Sequence, residues 1–303
     1  MSPACLSAPT RRKGERGFIL VAVLWILAAL ATLVSIYAVH VSTTALAASA
    51  RDDAVLARGL VTAGVELAAY RIAASPKQAR PTRGEIAFRM GRARVLATFL
   101  NEAARIDLNA ASRELLAGLF TTLGAQAADA DRYADRVVAW RSPSSTVSAI
   151  DGEAGLYRQA GLDYGPRGGA FVHADELWLV AELPPGLVER ALPYVTVFNG
   201  RPEIHARDAG PVVLAALPGA PAEAPLARGA TPDREVARPG TTFEGSDAVR
   251  VTVRVDFDNG RTQAAEAVVL VRDFGDEPYR VLSWREDLDI PTPAAGPRRE
   301  APR

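Results

Sequence analysis

Cysteine is almost missing from this 303-residue chain: Cys5 is the only one. No disulfide can form within the chain, so the fold must rest on core packing. Histidine is nearly as scarce, with His40, His173 and His205 alone. No His-Glu-x-x-His, Gly-x-Ser-x-Gly or phosphate-loop pattern occurs, and no nucleophile sits beside a base in a recognisable spacing. Catalysis, including that of an anchored hydrolase, is therefore not expected. His173 beside Asp175 and Glu176 reads as an exposed polar cap at a helix start. Net charge is absent too. Lys+Arg and Asp+Glu both total 35, which leaves no global field to attract nucleic acid or an acidic substrate.

The most informative absence is local. No charged residue lies between Arg16 and Arg51, and no proline lies between Phe18 and Ser75. About 20 apolar helical residues cross a hydrocarbon layer of ~30 Å, so the run from Phe18 to Val39 is long enough to span it. Arg11, Arg12, Lys13 and Arg16 precede it, which keeps residues 1–17 cytoplasmic and sends the remainder outward. Beyond Ala50 the helix continues with a different character: Val61, Val65, Ala68 and Ile72 share one stripe. One helix over 18–75 is expected, about 85 Å long at 1.5 Å per residue, with 18–40 in the membrane. Two other readings of the front stay open. One is a secretory signal cut at Ala48-Ser49-Ala50, and the other is an uncleaved anchor.

The stretch "RRKGERGFILVAVLWILAAL" resembles the N-terminus of type IV pilins and of the pseudopilins of type II secretion systems. The resemblance implies a short basic leader, residues 1–17, removed by a prepilin peptidase between Gly17 and Phe18, with N-methylation of Phe18. It also implies a Glu at the fifth mature position, where this chain has Ala22. A carboxylate in a span costs roughly 2.5–3.5 kcal/mol, so it is kept only for a purpose. In the family that purpose is thought to be contact with a neighbour's terminal amine during assembly. A subunit with nothing above it has no such need, and lack of the glutamate is typical of type II secretion system protein K.

The rest of the chain reads as strands, then helices, then strands. Residues 85–108 alternate (Ile86, Phe88, Met90; Val95, Ala97, Phe99) around Gly91-Arg92 and suggest the first strands of a sheet. Residues 109–219 change period. Ser112 caps a helix that ends at Leu123-Gly124. A second helix carries Tyr133, Val137, Val138 and Trp140 and stops at Pro143. Ser144 to Phe171 reads as loop with a short helical turn. His173 to Phe198 reads as two helical pieces split at Pro184-Pro185, and Asp208 to Gly219 as one more short helix. Residues 220–247 are rich in Pro and Ala and read as a loop. Residues 248–287 give strands around the hairpin signal Asp258-Asn259-Gly260, and 288–303 reads as a disordered tail.

The middle carries a second resemblance. "ARIDLNAASRELLAGLFTTLG", "PYVTVFNG" and "AGPVVLAALPG" are similar, in that order, to segments of type II secretion system protein K. The fold class this implies is α+β. A long N-terminal helix packs on an antiparallel pseudopilin sheet, and a large helical domain, helix-hairpin-helix or SAM-like, is inserted between strands. The implied role is a minor pseudopilin at the pseudopilus tip that primes assembly and limits length, for export of folded proteins. Implied partners are the other minor pseudopilins, the major pseudopilin, the prepilin peptidase and the inner-membrane secretion platform, together with secreted substrates, the outer-membrane secretin and the lipid bilayer. The implied location is the bacterial inner membrane, single pass, with the C-terminal domain in the periplasm. The alternative is a membrane-anchored, competence-type DNA-binding protein. Its hairpin needs Gly-x-Gly backbone amides for a phosphate, whereas this chain offers Gly124 alone, followed by Asp129, Asp131 and Asp135, so no nucleic acid is expected. No cofactor is required. Calcium is raised by the resemblance, and the candidate oxygen donors are Asp129, Asp131, Asp135, Asp151 and Glu153. No spacing among them matches an EF-hand.

Overall fold

A computed structural model describes residues 15–143, 147–220, 239–273 and 275–286. Most of the expected leader and the whole of the expected tail lie outside those residues. The chain forms two compact units, Met1–Gly59 and Leu60–Arg303. Helix α1, Glu15–Ala73, supplies the first and enters the second.

In the first unit the segment Leu20–Thr44 is long and apolar enough to cross a membrane, with every large side chain exposed. Its serine and threonine hydroxyls are bonded within the helix. Thr32, Ser35, Ser42 and Thr44 each donate their hydroxyl to the carbonyl four residues back, and Thr43 to His40 O three back. Such back-bonding removes bare donors from a medium with no water to satisfy them.

In the second unit the same helix is amphipathic. Leu60, Val61, Val65, Ala68, Ala69 and Ile72 are buried, at spacings of one, three and four. They lie toward a five-stranded antiparallel sheet whose order is β1 (Arg83–Met90), β2 (Ala93–Asn101), β7 (Ala248–Phe257), β8 (Thr262–Val271), β9 (Tyr279–Glu286). Alternation puts Val95, Ala97 and Phe99 of β2 on one face with Val255, Val253 and Val251 of β7, their register partners. Gly64 marks the close approach. A Cβ there would stand 2.8 Å from Val253 Cγ1, inside van der Waals contact. Gly84 on the edge strand is covered similarly, by the ring of its cross-strand partner Phe99.

Between β2 and β7 the chain leaves the sheet and builds a second core. It contains β3 (Ile106–Asp107), α2 (Arg113–Thr122), α3 (Ala127–Arg141), α4 (Val147–Gln159), α5 (Pro185–Ala191), β4 (Val195–Thr196), β5 (Ile204–His205), α6 (Pro211–Ala215) and β6 (Thr241–Thr242). Leu116, Leu119, Phe120, Val137, Tyr157 and Ile204 are fully enclosed there. Phe120 meets Tyr133 edge to face, with centroids 6.1 Å apart. Helices α2 and α6 touch at Gly118, where a Cβ would sit 2.1 Å from Ala216 O. Ser112 caps α2 as expected, its Oγ accepting from Leu115 N at 3.2 Å. Pro185 stands in the first turn of α5, where its missing N–H costs nothing.

Two expectations need correction. Part of the loop expected over Ser144–Phe171 is a regular helix, α4. Its glycines, Gly152 and Gly155, argued for a loop, but Tyr157 fills the core and Glu153 pairs with Arg136 at 2.7 Å from the same side. Tertiary contact outweighs the ~1 kcal/mol that each glycine costs. The loop expected over 220–247 is not all loop either. Thr241–Thr242 pairs in parallel with Ile204–His205, and Ser246 is buried. Residues 221–238 lie outside the described set.

Candidate assembly surfaces and the sheet–block junction

The first candidate surface is the apolar segment Leu20–Thr44 itself, which has nothing in the described structure to cover it. Ala22 lies on it, half-exposed and carrying no charge. Gly17 and Phe18 fall in α1, where only the backbone is described.

The second is the sheet margin. Strand β9 ends the sheet, pairing with β8 alone, so its outer backbone N–H and C=O groups are unpaired by any described strand. It carries Val281 and Trp284 about two-fifths exposed on the helix-facing side. A β-bulge near Val268/Val269 shifts its register.

The third is the junction between sheet and helical block, and its chemistry is polar. Glu102 follows β2 in a 3-10 turn and is fully buried. Its carboxylate accepts from Arg250 Nε at 2.7 Å and Nη2 at 3.2 Å, and also from Thr196 Oγ1 on β4. Arg250 Nη1 also donates to Glu266 of β8. Glu102 thus joins β7 to the helical block, and Arg250 extends the tie to β8. Burial works against the Arg250 charge, but hydrogen bonds and charge from Glu102 more than offset it, and its pKa stands raised. Arg105 nearby donates to Pro193 O and to neither carboxylate. Burial lowers its pKa and Arg250 adds to the lowering, against the pull of Glu102 and Glu266.

A neighbouring tie closes the gap through which the chain leaves and returns. Asn101 Nδ2 donates to Ser246 O at 2.8 Å, and its Oδ1 accepts from Ser246 N at 2.9 Å. Nearby, His205 is buried with its Nδ1 2.9 Å from Asp208 Oδ2 and its Nε2 3.1 Å from Phe243 O. Burial tends to raise the Asp208 pKa, but hydrogen bonds from His205 and Thr82 hold it below the ordinary carboxylate value.

The "DLN" segment proves structural. Asp107 Oδ1 accepts from Asn109 N at 2.7 Å and Ala110 N at 3.2 Å, and its Oδ2 from Gly200 N at 2.7 Å. Asn109 exchanges two hydrogen bonds with the Phe171 backbone. These two side chains staple three segments of the block.

The acidic candidates separate. Asp131 and Asp135 come together on one guanidinium, that of Arg113, while Asp129 pairs with Arg132 at 2.9 Å. The hydrogen bond from Arg113 holds the Asp135 carboxyl below its usual range. Glu153 lies on Arg136, and the Asp151 side chain is outside the described set. Among the described residues no three His, Cys, Asp or Glu side chains come together as metal ligands. The turn between α2 and α3 contains Gly124 at φ +97°, and acids follow it at Asp129 and Asp131. His173 caps the following 3-10 turn, accepting from Asp175 N at 3.3 Å.

With this geometry in hand the chain can be compared with known proteins. Residues 96–200 match the family model of type II secretion system (T2SS), protein K. The match supports the resemblance read in the motifs at Ala104–Gly124 and Pro193–Gly200; it covers the last part of β2 and the helical block as far as Gly200, and the motif at Ala209–Gly219 lies beyond it. A chain in the crystal structure of the GspK-GspI-GspJ complex from the enterotoxigenic Escherichia coli type 2 secretion system has a similar fold. The TM-score is 0.56 at 15% identity, over 78% of this chain and 98% of that chain. It bears out the α+β class, with an N-terminal helix on an antiparallel sheet. A comparison with curated proteins gives no significant match. Glu102, Arg250 and Thr196 escaped the sequence reading, because a lone Glu in "NEAAR" carries no spacing that marks it as buried.

Proposed function

We propose that the chain is a minor pseudopilin of a type II secretion system. The match of residues 96–200 to protein K carries this reading, because it falls on the helical block inserted into the sheet. Leu20–Thr44 anchors the chain once in the inner membrane, and the unit from Leu60 onward works in the periplasm. Cleavage after Gly17 and methylation of Phe18 precede assembly. Partners are other minor pseudopilins, of the kind represented by GspI and GspJ in the solved complex. The helical block is too bulky for a helical stack of subunits, so the chain caps the pseudopilus, primes its assembly and limits its length. It acts as a structural component and not as a catalyst.

Two measurements test this. Deleting the gene should abolish export of the type II substrates of the producing cell, and the full chain should co-purify with the other minor pseudopilins. Normal export and no co-purification would overturn the reading. Mass spectrometry of the mature N-terminus should show N-methyl-Phe18, and an intact Met1 or a start at Arg51 would contradict the assigned cleavage.

A further inference from the structure

A cleft of about 340 Å³ opens at the junction of sheet and block. Its wall carries charges of both signs. Arg105, Arg250 and Arg285 line it together with Glu266, and buried Glu102 lies behind Arg250. Both carboxylates are committed to Arg250. Arg105 donates from Nη1 to Pro193 O at 2.7 Å and makes no direct ion pair among the described residues, while Glu102 and Glu266 act on its charge from further off. Arg285 faces Glu266 across the β8–β9 ladder, yet Glu266 turns to Arg250, and Arg285 has no ion-pair partner among the described residues. Neither the Arg105 nor the Arg285 guanidinium thus makes a direct ion pair among the described residues. At the rim Asp175 Oδ2 lies 3.0 Å from His173 Nδ1, and Glu189 is exposed.

The remaining wall is apolar, from Leu192, Val195 and Phe198, and Ser283 and Arg285 come from β9. The cleft therefore adjoins the unpaired edge of the sheet. An edge strand offers backbone N–H and C=O groups to an extended chain, and a guanidinium offers paired donors to a carboxylate. We propose that this cleft takes the carboxylate side chain of an extended acidic segment of a partner polypeptide, laid along β9 and held by Arg105 and Arg285. A free small anion would satisfy the arginines but would leave the apolar wall and the strand edge uncovered. The proposal stands on the cleft and not on the secretion reading, so either can fail alone.

The test uses the full chain in detergent micelles and two fluorescein-labelled octapeptides, N-acetylated and C-amidated, one alternating Val and Glu, the other Val and Gln. Fluorescence anisotropy should show the Glu peptide binding about tenfold tighter or more, as expected for charge-assisted hydrogen bonds. The preference should shrink with added salt. Arg285→Gln, at an exposed and unpaired residue, should remove about tenfold of the preference without moving the melting temperature, and Arg105→Gln should act in the same direction. Equal binding of the two peptides, no binding of either, or an Arg285→Gln variant that keeps the full preference overturns the proposal. Displacement of the Glu peptide by acetate or phosphate at equal concentration also overturns it, in favour of a small-anion site.

Discussion

The junction acid gives the sharpest prediction. Glu102→Ala removes the carboxylate that Arg250 grips with two nitrogens and that receives Thr196 Oγ1. Breaking a buried ion pair from one side costs roughly 3–5 kcal/mol, because a charge is left uncompensated. Here Arg250 keeps Glu266, and its side chain is 13% exposed, so the low end applies, about 3 kcal/mol. For a unit of this size 1 kcal/mol moves the melting temperature by roughly 2–4 °C, so a drop of about 6–12 °C is expected. Near-UV circular dichroism of the full chain in detergent reads it. Arg250→Met in the same chain should cost far less when Glu102 is already gone, and the cycle should show a coupling of about 1–3 kcal/mol. A loss below about 1 kcal/mol for Glu102→Ala, or a coupling of zero, would refute the view that this contact holds the block on the sheet.

Three further outcomes follow from the contacts. Gly64→Val drives a branched side chain into Val253 and should cost about 1–3 kcal/mol in thermal unfolding; a stabilised variant would mean that helix and sheet can separate at that point. Burial pushes the Tyr157 hydroxyl up to about 12, so the native state favours the neutral phenol. Its contribution is whole below about pH 10 and lost between there and about pH 12, up to about 3 kcal/mol. Melting curves of wild type and Tyr157→Phe should therefore converge over that window, and parallel curves would contradict the assignment. The Asp135 carboxyl is held low by Arg113, so its stabilising share is present above the unfolded pKa and lost as pH falls through the folded one. In Arg113→Ala the Asp135 carboxyl should titrate higher by NMR, while the melting temperature hardly moves, because both groups are half-exposed and screened by solvent. An unmoved titration would show the pair to be apart in solution.

Periodicity made the extended parts of this fold readable. The alternation of Val95, Ala97 and Phe99, the hairpin at Asp258-Asn259-Gly260 and the stripe Val61, Val65, Ala68, Ile72 each reflect a repeating burial that short-range sequence can carry. Ser112 was legible because a cap is a local bond. Helix α4 was not, since its stability comes from Tyr157 in a core built by α3 and the segment near Ala181, to which its hydroxyl is bonded. The pairing of Thr241–Thr242 with Ile204–His205 joins residues distant in sequence, and two-residue strands show no alternation. The junction residues fail for the same reason. Glu102, Thr196, Arg250 and Glu266 are scattered, and only the fold assembles them. The candidate acids were legible as residues, but not that Arg113 would gather two of them.

The ties at the junction also explain how one sheet tolerates so large an insertion. The chain leaves at Asn101 and returns at Ser246, and one side chain bonds both points. Loop closure cost grows only with the logarithm of length, so an insert whose ends meet costs the sheet little if it folds on its own core. That core exists: it is enclosed by α2, α3, α4 and α6 and is distinct from the helix–sheet layer. Apolar burial therefore stabilises each part, but it is non-directional and fixes no angle between them. Angle is set by groups with directional demands, and here these are Asn101 with Ser246, and Glu102 with Arg250 and Thr196. A block whose orientation depends on a few buried polar contacts can be weakened there without either core unfolding, which locates the control of its placement at Glu102 rather than in the larger apolar interior.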